Sequence, residues 1–225
     1  RVIVDVYKRQ EQSGKDNKML IKKWMSKNVT TVQANDSVIK AQILLKDHSI
    51  SRLPVMEKGR LIGIVTGWDL KRVFPSETLK VKNVMTRDPI TVPLDFTFEE
   101  VAEVLLDNKI SGVPVIGHDG EIEGIITRTD VLGALIKVTG VRKKGFQFAL
   151  QVKDRPGVVK ETVDLVRMHG GRIVSIIISD ERVPTGYRRI YIRISGIDRF
   201  NLGRLQDVLG KIGDLLYTVD RLDVV

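Results

Sequence analysis

Hydrophobic positions change their spacing several times along the chain, and each change marks an element. Val38, Ala41, Leu44 and Leu45 recur at helical spacing and give one apolar face, with Asn35 or Asp36 placed to cap the helix. Two β-branched runs follow, "RLPVM" at 52–56 and "LIGIV" at 61–65. The turn "EKGR" joins them, with Gly59 supplying the backbone angle that a hairpin needs. A second helix opens just after Thr66. The same order then runs again: "ITV" at 90–92 answers "TTV" at 30–32, "GVPVI" and "IEGII" form a second hairpin around Gly120, and a helix opens after Thr127.

The second run is a copy of the first. At an offset of 60, Met25, Thr31, Val32, Leu45, Asp47, Pro54 and Val55 meet Met85, Thr91, Val92, Leu105, Asp107, Pro114 and Val115. "IS" at 50–51 meets "IS" at 110–111. One inserted turn residue moves the offset to 61, and Gly59, Gly63, Ile64, Thr66 and Asp69 meet Gly120, Gly124, Ile125, Thr127 and Asp130. A unit of about sixty residues buries too little surface alone, so two copies are expected to pack sheet to sheet around a shared core.

The last third follows another pattern. "FQFALQV" at 146–152 alternates as a strand, and "KDRPGVV" breaks it, with Pro156 suited to the first helical position. A helix is predicted over 157–169 with Val159, Val163 and Val166 on one side, ended by Gly170 and Gly171. "RIVSIIIS" and "YRRIYIRIS" read as strands, the second with Ile190, Ile192 and Ile194 on one face. A helix carrying Leu202, Leu205, Val208, Leu209 and Ile212 and a closing strand "LLYTVD" complete a βαββαβ order, the ferredoxin-like split unit.

Charge alters this picture little. The net charge is +9, and residues 141–225 hold sixteen basic against ten acidic side chains, dispersed apart from Arg142, Lys143 and Lys144. Aromatics are 5%, without the basic, aromatic-interleaved stripe of a nucleic-acid groove, so a solvated basic surface is the favoured reading over nucleic-acid binding. No apolar run reaches the roughly 20 residues of a membrane span, and no signal-peptide pattern appears, so a cytoplasmic location is expected. With no cysteine there is no thiol chemistry or disulfide framework, and His48, His118 and His169 are scattered without metal spacing. No catalytic motif is found, so a non-enzyme without a metal or resident cofactor is expected. Residues 1–18 have no partner in the repeat. "DVYKRQ" reads as the translation of a transposon end used in sequencing libraries, so the segment is expected to be an artefact or a disordered tail before Met19.

The duplicated segment resembles the CBS domain, and two in tandem resemble a Bateman module, over 19–78 and 79–140. The resemblance implies paired βαββα-type units with a cleft for an adenine nucleotide (AMP, ADP, ATP or a related adenosyl compound). It implies that Asp69 and Asp130 hold ribose hydroxyls and that Thr66 and Thr127 lie towards the phosphates. The segments "ISRLP" and "ISGVP" would line the adenine pocket through Ile50, Ser51, Arg52 and Pro54 and through Ile110, Ser111 and Pro114, with Thr31 and Thr91 at the first strand of each copy. A carboxylate accepts two hydrogen bonds from a cis-diol, and a helix start favours phosphate, where Arg128 is placed to pair with it. The second copy is thus better equipped than the first, which has Gly67 and Trp68 instead. Trp68 is expected in the core, with base stacking as the alternative. The spacing "T-x-x-D" is equally a capping box with no ligand.

Residues 141–225, through "DRPGV" at 154–158, resemble the ACT domain, which often senses an amino acid. Asp154, Gly157 and Val158 are then the candidate contacts, against the plainer reading of a helix-entry turn in a dimerisation domain. The whole arrangement resembles the bacterial acetoin-utilisation (AcuB-like) family. A regulatory sensor passing ligand state to a metabolic enzyme is expected, with a constitutive interaction protein as the alternative. A homodimer is expected through both modules, the second using the sheet face that carries Tyr187, Arg189, Tyr191 and Arg193.

Overall fold

The computed structural model describes residues 20–222, so the segment 1–18 and Met19 lie outside the described residues. The chain divides into two compact units, one running to Ala134 and one from Leu135 onward.

In the first unit β1 (Val32–Gln33), α1 (Val38–Asp47), β2 (Arg52–Glu57), β3 (Arg60–Thr66) and α2 (Gly67–Lys71) form the first copy. A short strand, β4 (Thr86–Arg87), leads to the second, made of β5 (Val92–Pro93), α3 (Phe98–Asp107), β6 (Gly112–Ile116), β7 (Ile122–Thr127) and α4 (Arg128–Thr139). One sheet has the order β1-β2-β3-β4 and the other β5-β6-β7. In each, the first strand lies parallel to the leading strand of an antiparallel hairpin. Gly59 and Gly120 turn those hairpins at φ +79° and +82°, a region costly for any side chain.

The two copies complete each other. Ile21 and Met25 open the first copy but belong to the core of the second, with Val92, Val101, Leu105, Val113 and Ile126. Backbone bonds fix them there: Ile21 N–H donates to Phe96 O at 2.9 Å, and Ser26 exchanges bonds with Ile125 at 2.9 and 3.0 Å. Val81 makes the reverse crossing into the core of Val38, Leu53, Val65 and Leu70. Its N–H donates to Asp36 O at 2.9 Å, and β4 pairs with β3. The sulfurs lie over glycines: a β-carbon would stand 2.6 Å from Met25 Sδ at Gly124 and 2.5 Å from Met85 Sδ at Gly63. Ile21 and Val81 are wholly buried, and burial of such side chains stabilises by about 1.5–3 kcal/mol each.

Local capping differs from the sequence expectation at α1. Ser37 is its cap, its Oγ accepting from Lys40 N–H at 3.2 Å. Asp36 is one residue too early and instead accepts from Gln33 N–H and Lys40 Nζ, both at 2.9 Å.

The second unit contains β8 (Phe146–Lys153), α5 (Val158–Met168), β9 (Arg172–Ser179), β10 (Tyr187–Ser195), α6 (Arg199–Ile212) and β11 (Gly213–Asp220). All pairings are antiparallel in the order β11-β8-β10-β9, the split βαβ arrangement. Phe146, Phe148, Leu150, Ile190, Ile192 and Ile194 alternate inward against Val158, Val166, Leu205 and Leu209. Helix α5 starts later than predicted because Gly157, at φ +86°, is its cap, which leaves Pro156 in the preceding turn. The buried stripe is therefore Val158, Thr162 and Val166, and Val163 lies outside it. On the opposite sheet face the predicted row is less open than expected. Arg193 is buried and bonded to Gln147, and Arg189 donates to Tyr191 Oη at 3.4 Å.

Candidate functional site

Strands β3 and β7 end on threonines that begin the next helix, and this junction is built identically twice. Thr66 N–H and Oγ1 donate to Asp69 Oδ2 at 2.8 and 2.6 Å, and Asp69 N–H donates back to Thr66 Oγ1 at 3.3 Å. Thr127 and Asp130 make the same bonds at 2.8, 2.7 and 3.3 Å. These are reciprocal capping boxes. Each uses only Oδ2, and among the described residues Oδ1 of neither aspartate has a hydrogen-bond partner. Both carboxylates are half-buried, so a free oxygen is presented at each junction.

The "IS" segments are tied to these junctions. Gly67 N–H donates to Ser51 O at 3.0 Å, and Arg128 N–H donates to Ser111 O at 3.1 Å. Cross-strand register sets Arg52 opposite Thr66 and Gly112 opposite Thr127. Ile50 and Ile110 pack against the two cores, and Pro54 and Pro114 are buried in β2 and β6 opposite Ile64 and Ile125. Thr31 and Thr91 are half-buried immediately before β1 and β5. The polar groups gathered at each junction are therefore the exposed Ser and the half-buried Thr–Asp pair, while the apolar members of "ISRLP" and "ISGVP" are committed to packing.

Arg52 breaks the symmetry. It is only 9% exposed, and its side chain leaves the first copy. Nη2 donates to Ser51 Oγ at 3.0 Å and to Ser111 Oγ of the second copy at 2.7 Å, while Nε is buried with no partner. Gly112 makes room for it, since a β-carbon there would overlap the guanidinium. Burial, then the nearby Arg128 charge, lowers the Arg52 pKa, with Asp130 pulling the other way. Sequence reasoning grouped Arg52 with the first copy and missed this crossing. The available signal was the exchange of Arg52 for Gly112 at matched positions. Arg128 is exposed and donates from Nε to Ile110 O at 2.9 Å. Trp68 is 70% exposed, not in the core as expected, because the short helix α2 turns Leu70 inward and leaves Trp68 on its outer side.

In the second unit the proposed contacts are partly spoken for. The Asp154 carboxylate pairs through Oδ1 with Arg188 at 2.6 Å, which raises the Arg188 pKa, so a ligand ammonium there would have to share it with a guanidinium. Val158 points into the core, and its N–H donates to Arg155 O at 3.3 Å. Gly157 faces open space and borders a shallow cavity of about 380 Å³ beside the ion pairs Arg155–Glu161 and Lys160–Asp164. Among the described residues no cluster of three or more His, Cys, Asp or Glu is arranged to hold a metal, and no helix is long and apolar enough to cross a membrane.

The duplicated strand–helix junction thus belongs to a tandem pair in which each copy completes the core of the other. The CBS domain family model matches residues 21–76 and 81–137, and the chain belongs to this family, with two CBS domains in tandem. It is 32% identical over 136 residues to a CBS domain-containing protein of Dictyostelium discoideum, covering 54% of this chain and 94% of that one. It is 41% identical over 107 residues to inosine-5'-monophosphate dehydrogenase of Korarchaeum cryptofilum, covering 47% of this chain and 22% of the enzyme. The chain thus spans about a fifth of the length of the curated enzymes it first matches. Among solved structures it is similar to CBSX2 in complex with AMP, at 27% identity and a TM-score of 0.49, over 56% of this chain and all of that one.

Proposed function

We propose that the protein is a regulatory sensor whose CBS pair binds an adenine nucleotide. The observation that carries this reading is the repeated Thr–Asp junction with one carboxylate oxygen left open in each copy. A carboxylate held rigid through one oxygen presents the other at a fixed position, which suits a ribose diol. Thr66, Asp69 and Ser51 would serve one site, and Thr127, Asp130, Ser111 and Arg128 the other. The βαββαβ unit is read as an ACT-like module that serves assembly. The ion pair at Asp154 makes an amino-acid site there the weaker half of the proposal. In this reading the AcuB-like protein works in the cytoplasm as a homodimer and passes ligand state to a metabolic enzyme.

Calorimetric titration of AMP, ATP, NADH and S-adenosylmethionine into the full chain tests the proposal. Saturable binding of at least one is expected. Silence with all four would favour the other reading, a constitutive interaction protein in which both capping boxes serve only their helices.

A further inference from the structure

The open face of the β11-β8-β10-β9 sheet carries side chains that composition hides. Aromatics are 5% of the chain, but alternation along β10 sets Tyr187, Arg189, Tyr191 and Arg193 together on the face opposite the core under α5 and α6. Cross-strand register puts Tyr191 and Tyr217 on either side of the wholly buried Ala149, with Ile177 beyond Tyr191. Both ends of that row, Ile177 and Tyr217, are exposed. The end of α4 meets one corner of the face, where Ser175 Oγ donates to Thr139 O at 2.8 Å. The guanidiniums around the row lack counter-charges. Arg193 is buried and bonded to the neutral Gln147 side chain. Burial, then the Arg221 charge, lowers the Arg193 pKa, with Tyr217 pulling the other way. Arg189 donates to Tyr191 Oη at 3.4 Å and to Arg182 O at 3.5 Å, and Nε of both Arg189 and Arg221 is buried without a partner. Asp214 is the one acid in register on this face among the described residues, and no ion pair joins it to these arginines.

We infer that this face binds single-stranded nucleic acid, with Tyr191 and Tyr217 stacking on bases and Arg189 and Arg221 meeting phosphates over the buried charge of Arg193. A four-stranded antiparallel sheet with aromatic and cationic side chains interleaved on one face lets splayed bases lie on the rings while the phosphate backbone runs past the guanidiniums. Successive outward residues of β10 stand roughly 6.6 Å apart, close to the step between phosphates of an extended strand. The face does not suit a second copy of itself. A closed two-fold contact there would bring guanidinium against guanidinium, a costly like-charge pairing. The proposed dimer then forms through other surfaces. An acidic peptide would meet the same charge but would leave the tyrosine row unused.

The test is fluorescence anisotropy of labelled oligouridylate and oligodeoxythymidylate, each of about twelve nucleotides, titrated with the full chain over a salt series. Both should bind, and binding should weaken steeply as salt is added. Arg189→Gln and Arg221→Gln should each weaken binding and lower the slope of log affinity against log salt by about 0.7, the share of one phosphate contact. Tyr217→Ser, at an exposed position outside the core, should weaken binding by about five- to a hundredfold and leave that slope unchanged, the mark of a lost stack. Duplex DNA and polyglutamate should compete poorly. Should one variant fail to fold, the other two decide. No binding of either strand, variants that bind as wild type does, or polyglutamate competing as well as the oligonucleotides would overturn the proposal, the last in favour of an acidic protein partner. So would a wild-type dimer that Arg189→Gln or Tyr217→Ser dissociates in light scattering, since the face would then be a subunit contact. None of these outcomes bears on the AMP titration, whose proposed site lies in the CBS pair.

Discussion

Replacing Asp130 by alanine separates the capping task that the structure shows for this side chain from the ribose-binding task proposed for it. Oδ2 accepts from Thr127 N–H at 2.8 Å and Thr127 Oγ1 at 2.7 Å, and both bonds go with the carboxylate. The return bond from the residue-130 N–H to Thr127 Oγ1 at 3.3 Å survives, because it uses only backbone of residue 130. Half of the capping box is kept, so the stability cost should fall in the middle of the range for a lost cap, about 1 kcal/mol. In a chain of this length that lowers the melting temperature by about 2–4 °C. In the proposed function the open oxygen Oδ1 carries the second task. Losing a charge-assisted bond to a ribose hydroxyl should weaken AMP by about ten- to a hundredfold. Asp130→Asn keeps an acceptor for Thr127 but removes the charge, so its melting should stay nearer wild type while its AMP affinity still falls. Scanning fluorimetry of the apo proteins and calorimetry with AMP give the two readings independently. Wild-type AMP affinity in Asp130→Ala would refute the ligand role. A fall in apo melting temperature far beyond the capping estimate would show the box to be the principal task of this residue.

Ligand should also protect the fold: at a hundred times its dissociation constant, AMP or ATP adds about 2.7 kcal/mol, and an unchanged melting curve would count against binding. Gly63→Val and Gly124→Val should each destabilise the CBS pair by about 1–3 kcal/mol in urea, because the new side chain must displace Met85 or Met25. Phe148→Ala, at a wholly buried position, should cost the second unit about 3–5 kcal/mol, and a loss below 1 kcal/mol would contradict its place in that core. Light scattering should give a dimer, and a particle of 25.3 kDa at micromolar concentration with and without AMP would refute it.

Much of the fold was legible because it rests on periodicity. The alternation of Ile190, Ile192 and Ile194 and the helical spacing of Leu202, Leu205 and Leu209 each map one face onto one core. The glycine turns were legible for a similar reason, since Gly59 and Gly120 occupy matched positions and adopt the predicted left-handed backbone. Misreadings came where a single local contact decides. Ser37 displaced Asp36 as a cap because only its Oγ sits over the third amide of α1. Gly157 displaced Pro156 at the start of α5 by taking a positive φ. Trp68 reads as core by composition, but α2 is only five residues long and buries a single side chain, Leu70.

The candidate site was legible only as far as it is symmetric. Sequence alignment of the copies pairs Thr66 with Thr127 and Asp69 with Asp130, and the bonds of the two junctions agree to within 0.1 Å. What alignment cannot express is traffic between copies. Ile21 and Met25 fill the second core, Val81 fills the first, and Arg52 leaves its own strand to reach Ser111. A cut after residue 78 would therefore sever Val81 from the first core and β4 from the sheet it completes, and would leave the second core without Ile21. Neither half would keep the buried area that a unit of about sixty residues needs to fold. The same logic bears on the site. Because the Arg52 guanidinium bonds across to Ser111 and Gly112 leaves the space for it, the two matched junctions are inequivalent through one Arg-for-Gly exchange, and the surroundings of the second are a property of the pair.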